Sequence, residues 1–486
     1  MSKFQPVSFY KNKKKTYQLT PFRFLKFNQE KYFLSNMTGE YLLLDRESLG
    51  RLVEHRLDDS EQSYLDLRAK QFLIDDTNSI ATDLLAIKAR TRYSRLPEFT
   101  ALHIFVVSLR CDHSCQYCQV SRQSADKLKY DMTEEIADKA IDFAFKSPSR
   151  NIKIEFQGGE SLLNFPIIQY IVEQSKKLNE VHCRNLDFVI ATNLSMIDRG
   201  ILDYCRLHGI HISTSLDGPE DLHNKNRPRP GKDSYEKVIK GISLCREVLG
   251  RDEVSALMTT TEASLKRGKE IVDEYLKLGF PGIFLRSLSP YGYAIKTKSF
   301  AAYQTEQWLD FFKESLDYII ELNRSGIRFQ EYCSAIVLSK MLTSSDPGFV
   351  DLMSPAGIGI SVIVYNYDGS VHPSDESRML AEMGDNTFKM GNVLTDSYEQ
   401  VFSSQALLQP LEDSYTNSVP MCEECAFEPY CGADPVYEYA MNQDYIGRRP
   451  ESGFCQKSMG IFKHLIERME ADPFVKNLFM DWANRK

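Results

Sequence analysis

No stretch of this chain approaches the roughly 18 consecutive apolar residues that a membrane-spanning helix needs. A helical membrane protein is therefore excluded. The N-terminal segment MSKFQPVSFYKNKKKTYQLT has no apolar core behind its basic residues and does not read as a secretory signal. An excess of positive charge is also missing. The formal net charge is −8, whereas broad nucleic-acid binding usually needs a basic face. There is no internal repeat of about 20–50 residues and no low-complexity tract. What remains is an ordinary globular composition, 42% hydrophobic and 26% charged. At 486 residues a core is easily buried, and about three domains are expected. The expected setting is cytoplasmic and reducing, where clustered cysteines bind metal more often than they pair.

The 11 cysteines are unevenly placed. Cys111, Cys115 and Cys118 fall in CDHSCQYC, directly after the apolar run LHIFVVSLR. Cys422, Cys425, Cys431 and Cys455 form a second set, CxxCx5C and one later. Cys205 and Cys245 lie on apolar helix faces, with Ile201 and with Val238 and Ile242, and are expected in the core. Cys183 and Cys333 have no visible partner. Three thiolates are odd for disulfides and one short of a closed zinc site. Soft thiolates select zinc or iron–sulfur clusters. The first set is therefore a cubane with one open iron, or a zinc site completed by His113 or a distant residue.

From residue 102 to about 323, short apolar runs alternate with helical periodicity. The strand candidates begin LHIFVVSLR, NIKIEFQ, LDFVIATN, HISTSLD, VSALMTT and GIFLRSLS. Thr133 is expected to cap a helix carrying Ile136, Ala140, Phe143 and Ala144 on one face. Asp233 and Glu236 suit a capping box. Six strand–helix repeats predict a parallel α/β fold, either an open sheet or a partial barrel. Sites in such folds gather at the carboxyl ends of the strands. Residues 1–98 read as three short antiparallel strands within PFRFLKFNQEKYFLSNMTGEYLLL. A helix capped by Asp45 follows, with Leu49, Leu52 and Val53 on one face, then a second helix in SEQSYLDLRAKQFLI. An exposed sheet edge is expected there. Residues 326–486 hold the hairpin ISVIVYNYDGSVHPS, the second cysteine set on loops, and the helix KSMGIFKHLIERME.

These motifs, in this order, resemble the radical S-adenosylmethionine (SAM) enzymes. CxxxCxxC follows the first strand, with Tyr117 just before its last cysteine. The second strand ends in QGGES, similar to the family's GGE motif. ATNLS and STSLDGPEDLHNKNRPRPG end the third and fourth and resemble the peptide-modifying branch. The resemblance implies a partial (βα)6 barrel over residues 99–325. It implies that Cys111, Cys115 and Cys118 hold a [4Fe–4S] cluster whose free iron chelates SAM. It places Gly158 and Gly159 at the methionyl end, Glu160 at the ammonium, Asn193 and Ser215 at ribose or carboxylate, and Tyr117 near the adenine. Reduction by an external electron donor would then yield methionine and a 5′-deoxyadenosyl radical that abstracts hydrogen from substrate.

The second cysteine set resembles the SPASM extension, here residues 326–486. Cys422, Cys425, Cys431 and Cys455 match the ligands of its outer cluster. The positions of the inner cluster fall on Ser354, Ser374 and Pro435. One auxiliary [4Fe–4S] cluster is implied, for electron transfer or for holding the domain, with closed zinc as the alternative. Residues 1–98 resemble PqqD-like peptide-recognition modules, which bind a leader peptide as an added strand; the alternative is a structural cap on the barrel. CQVSRQ, FEPYCGADPVYEYA and GRRPESGFC resemble the maturases of His-Xaa-Ser peptide systems. The implied substrate is a ribosomally made precursor peptide. The implied product is a side-chain crosslink such as a cyclophane-type carbon–carbon bond. The competing readings are a sulfatase-maturing enzyme with both auxiliary clusters and a non-catalytic zinc scaffold that docks a peptide. Neither nucleic acid nor membrane is an expected partner. Asp217, His223, Arg286, Glu331 and Tyr332 fall on expected strand ends or loops, where one could take a proton from an intermediate. The run Lys225, Arg227, Arg229, Lys232 reads as a solvated loop that could meet an acidic peptide.

Overall fold

The computed structural model describes residues 16–78, 80–449 and 451–484. Residues 1–15, which open both the stretch read for a signal and the N-terminal module, lie outside these, as does Pro450 of GRRPESGFC.

Five parallel strands pair in chain order: Leu102–Ser108, Asn151–Gly158, Asn185–Thr192, Ile210–Ser215 and Val254–Leu257. Their β-branched and aromatic side chains, such as Ile152, Ile154 and Phe156, are fully buried. The helices Glu134–Lys146, Phe165–His182, Arg199–His208, Ser234–Val248 and Gly268–Lys277 return the chain after each strand. All five carboxyl ends therefore share one rim. Thr133 caps the first of these helices, accepting from the Ile136 amide at 3.4 Å. Asp233 does not form the expected capping box; it pairs with Arg229 instead.

The sixth strand departs from expectation. It shrinks to Gly282–Ile283 and pairs in parallel with Gln330–Glu331, not with the fifth strand. A Cβ at Gly282 would run into the Gln330 carbonyl and the Tyr332 ring, so this close approach depends on glycine. One backbone bond, from the Thr260 amide to the Arg286 carbonyl (2.8 Å), links this segment to the fifth-strand end. At its other edge the barrel sheet gains the C-terminal hairpin. Val362–Tyr365 runs parallel to Leu102–Ser108, and Ser370–His372 pairs antiparallel to it.

The three N-terminal strands, Phe22–Lys26, Lys31–Asn36 and Tyr41–Asp45, form an antiparallel sheet in sequence order. Strand alternation gives it two buried faces. Leu34 and Leu44 pack with Leu49, Leu52, Tyr64 and Leu67 of the following helices. Asp45 caps the first helix, accepting from the Ser48 amide at 2.8 Å. Val53 is 50% exposed and does not share the face of Leu49 and Leu52. On the opposite face Phe33 packs 4.9 Å from Phe427, and the Ser35 hydroxyl donates to the Ala426 carbonyl at 2.6 Å. Arg23 pairs with Glu428 at 3.1 Å. The sheet thus docks on the second cysteine loop. Among the described residues, no helix is long and apolar enough to cross a membrane.

Candidate active site at the strand ends

The first cysteine loop leaves the Leu102–Ser108 strand through a clamp. Arg110 makes a bidentate pair with Asp131, both contacts 2.7 Å, and donates to the Leu163 carbonyl at 2.7 Å. Gly158 and Gly159 sit against this turn. A Cβ at either position would collide with the carbonyls of Ser108 or Arg110. The Gly159 and Glu160 amides donate to those same carbonyls, at 2.8 and 2.7 Å. In this structure the glycine pair serves the packing of one strand end on the next.

Glu160 is buried. Its Oε1 accepts from Thr192 Oγ1 at 2.6 Å and the Leu162 amide at 3.1 Å; Oε2 accepts from the Asn193 amide at 2.8 Å. Burial pushes its carboxyl up to about 7. Among the described residues no cation pairs with it, and Oε2 keeps acceptor capacity. Asn193 donates to Asp112 Oδ1 at 2.8 Å, and Ser195 donates to Asp112 Oδ2 at 2.7 Å. Burial opposes the Asp112 charge, but these bonds and His113 hold its carboxyl well below the usual carboxylate range. Ser215 is half-buried at the carboxyl end of the fourth strand.

Both nitrogens of His113 are engaged. Nδ1 lies 2.8 Å from Asp112 Oδ1, and Nε2 lies 2.8 Å from Ser234 Oγ. A zinc site completed by His113 would have to break one of these contacts, since a histidine ligates through a single nitrogen. Burial raises Cys111 well above the thiol range and Cys115 to about 12. The loop turns back on itself: the His113 amide donates to Cys111 Sγ at 3.4 Å, and the Cys118 amide to the Cys115 carbonyl at 3.3 Å.

Tyr117 is buried and donates to Asp217 Oδ2 at 2.6 Å. Arg227 lies 5.4 Å above the Tyr117 ring and 3.1 Å from Asp217 Oδ2. Arg227 and Arg229 therefore turn inward. The reading of this run as a solvated loop holds only for the exposed Lys225 and Lys232. Asp217 is consumed by this buried pair. His223 is a satisfied core histidine: Nδ1 takes the Asp217 amide at 3.3 Å, Nε2 meets Ser234 Oγ at 3.1 Å, and burial pulls it down to about 3. Glu331 caps the helix Tyr332–Leu342 and accepts from the amides of Cys333, Ser334 and Leu285. Asp217, His223 and Glu331 are thus each held by internal partners. Arg286 remains 44% exposed and lies 3.7 Å from Glu376.

The second set gathers under the first turn of the helix Gly453–Ala471, which Ser452 caps. Burial pushes Cys431 up to about 12 and Cys455 to about 11, each further raised by neighbouring thiols of the same set. Arg449 stands beside Cys422 and pairs with Glu438. Among the described residues, the only three metal-type donors within 4.8 Å of one another are Cys111, Asp112 and His113. A mononuclear zinc needs sulfurs about 3.8 Å apart, from Zn–S bonds of about 2.3 Å. Among the described residues, no three of the C-terminal sulfurs come within 4.8 Å of one another. The inner-cluster positions do other work. Ser354 accepts from Thr416 Oγ1 at 2.6 Å, Ser374 caps the helix Asp375–Ala381, and Pro435 opens the helix Pro435–Asn442.

Residues 105–262 match the family model described as the radical SAM superfamily. The chain carries a radical SAM domain. Radical SAM domains use a [4Fe–4S] cluster and SAM. The first curated relatives align over less than half their own length, 48% and 32%. The second of these, the radical SAM cyclopropyl synthase TigE of Paramaledivibacter caminithermalis, is 28% identical over 29% of this chain. A cysteine-type anaerobic sulfatase-maturating enzyme of Clostridium perfringens is 22% identical over 76% of this chain and 97% of its own. Among solved structures, native anSMEcpe with bound AdoMet has a TM-score of 0.63 at 17% identity, covering 78% of this chain and 99% of that one. Streptococcus suis SuiB bound to precursor peptide SuiA has a TM-score of 0.51 at 14% identity, covering 90% and 100%. These likenesses show the α/β fold of radical SAM proteins.

The residues present fit the cofactors. Three thiols share one loop at the end of the first barrel strand. A buried carboxylate lacking a cation, Glu160, stands at the neighbouring strand end and suits an ammonium. Sequence reasoning passed over Asp112 and Ser195. Asp112 lay inside CDHSCQYC and Ser195 inside ATNLS, so their position within quoted motifs was the available signal.

Proposed function

We propose that this protein is a radical SAM maturase that modifies a ribosomally made precursor peptide and installs a side-chain crosslink. The carrying observation is the three-cysteine loop at the strand ends, with a second set of four cysteines in the same chain. Cys111, Cys115 and Cys118 would hold the SAM-binding cluster, and Cys422, Cys425, Cys431 and Cys455 one auxiliary cluster. When bound, the cluster and SAM supply a hydrogen-abstracting 5′-deoxyadenosyl radical. The chain's own part is to hold and orient. Glu160 Oε2 offers an acceptor to the SAM ammonium. Asp112, Asn193 and Ser195 fix the cysteine loop to the third strand end. Arg227 and Asp217 anchor Tyr117 beneath it. An external donor supplies electrons.

In this reading residues 1–98 are the leader-binding module, 99–325 the barrel and 326–486 the SPASM-like region. A groove of about 360 Å³ supports the first assignment. It runs along the edge strand through Leu42, Leu43, Leu44 and Asp45 and is closed by Ser48, Ser63 and Asp66 of the two helices. An edge strand beside a groove is the geometry for strand addition. Co-expression with a precursor peptide tests the function: the peptide should lose two hydrogens, in step with 5′-deoxyadenosine. The sulfatase-maturing reading draws on the 97% coverage of the Clostridium perfringens enzyme. It calls for about twelve irons per chain, against about eight here.

A further inference from the structure

We propose that Asp351, Glu376, Asp434 and the Tyr291 hydroxyl form a cation-binding pocket for a lysine or arginine side chain of the peptide substrate. The inference rests on the peptide-modifying reading for its ligand and on the following geometry for its place.

Three distant segments converge. The Ala433 amide donates to the Met353 carbonyl at 3.0 Å, and Gly432 lies against the Asp351–Met353 backbone, which sets Asp434 beside Asp351. Asp434 accepts from the Tyr437 amide at 2.9 Å and so opens the helix Pro435–Asn442. Glu376 stands in the first turn of the helix Asp375–Ala381 and lies 3.7 Å from Arg286. Lys457 reaches Ser287 at 3.3 Å from the helix that carries Cys455. Among the described residues no cation lies within ion-pair reach of Asp351 or Asp434.

Tyr291 points to a missing ligand. It is 1% exposed, and its hydroxyl has no hydrogen-bond partner. A buried hydroxyl normally finds one. The next residue, Gly292, donates its amide to Met383 Sδ at 3.0 Å, which sets Tyr291 beside the helix Asp375–Ala381, and that helix packs on Pro435–Asn442. Glu376, enclosed enough for burial to raise its carboxyl to about 7, still keeps 22% of its side-chain surface accessible.

The pocket adjoins the first cysteine loop. Gly292 rests on the Cys118 and Gln119 carbonyls, and the Tyr293 amide donates to the Cys118 carbonyl at 2.7 Å. The three carboxylates are not drawn within 4.8 Å of one another. A hard metal ion needs its oxygens closer, at metal–oxygen distances of about 2.0–2.6 Å. An ammonium or guanidinium on a flexible stem spans the wider arrangement.

The test uses the full chain, reconstituted without oxygen and saturated with SAM. The probes are acetyl-Gly-Lys-Gly-amide and its norleucine counterpart, titrated calorimetrically. The lysine peptide should bind about tenfold more tightly than the norleucine peptide. Glu376→Gln and Asp434→Asn should each erase about tenfold of that preference, and asparagine keeps the cap on the Tyr437 amide. Tyr291→Phe removes only the hydroxyl and should erase a smaller part. Equal binding of the two peptides, no binding of either, or an unchanged preference in all three variants overturns the pocket. Competition by Mg²⁺ or Mn²⁺ at micromolar levels overturns it in favour of a metal site. Formation of 5′-deoxyadenosine under reductant is measured on the same samples. Its absence alongside a lysine preference counts against the maturase reading alone, and its presence without that preference counts against the pocket alone.

Discussion

Tyr117 donates to Asp217 at 2.6 Å, and Arg227 covers both, 5.4 Å above the ring and 3.1 Å from the carboxylate. This buried triad joins the first cysteine loop to the end of the fourth strand. Removing its anion strands a guanidinium whose side chain is only 13% exposed. Asp217→Ala should therefore cost about 3–5 kcal/mol of stability. Urea unfolding of the reconstituted protein measures it. A loss below about 1 kcal/mol would mean that the triad is not a structural anchor.

Glu331 separates two accounts. As a cap that accepts from Cys333, Ser334 and Leu285, it stabilises the helix Tyr332–Leu342. Glu331→Gln should lower stability by about 1–3 kcal/mol, because its amide nitrogen cannot accept. The rate of peptide modification per folded molecule should stay within a few-fold. A folded variant that binds peptide and forms 5′-deoxyadenosine but cannot complete the modification would restore Glu331 as the base.

The split between what could be read in advance and what could not follows the range of the interactions. The barrel strands and the motifs at their ends were legible, because each is a run of contiguous residues with its own period. Thr133 and Asp45 were legible as caps for the same reason. Arg227 and Arg229 were not: a basic run reads alike whether it faces solvent or folds back on Asp217 and Asp112. The sixth strand failed because Gly282 found its partner in Gln330, far along the chain. The glycine pair was recognised, but its packing against Ser108 and Arg110 needed the neighbouring strand. Asp351, Glu376 and Asp434 share no local pattern at all.

His103 gives a pH test of the core. It is fully buried, and burial pulls it down to about 3. The unfolded chain takes up this proton near pH 6.5, well before the folded one. The stability tied to neutral His103 is complete above pH 6.5 and falls by about 1.4 kcal/mol per pH unit from there down to about 3. Relative to His103→Gln, the parent protein should lose about that much over the first unit below pH 6.5. A difference that does not change with pH would contradict neutral burial of this ring.

The loss of the inner ligands predicts metal content. Anaerobic reconstitution should give about eight irons per chain, falling to about four in the Cys422→Ala, Cys425→Ala double variant. Twelve irons in the parent would show that the positions of Ser354, Ser374 and Pro435 do not define the count.

The most direct measurement of the central claim is the fate of SAM on the reduced, anaerobically reconstituted protein. The account predicts 5′-deoxyadenosine and methionine in equal amounts, abolished by Cys118→Ala while the auxiliary cluster remains. Intact SAM after reduction of a fully loaded protein, or the same products from the Cys118→Ala variant, would contradict it.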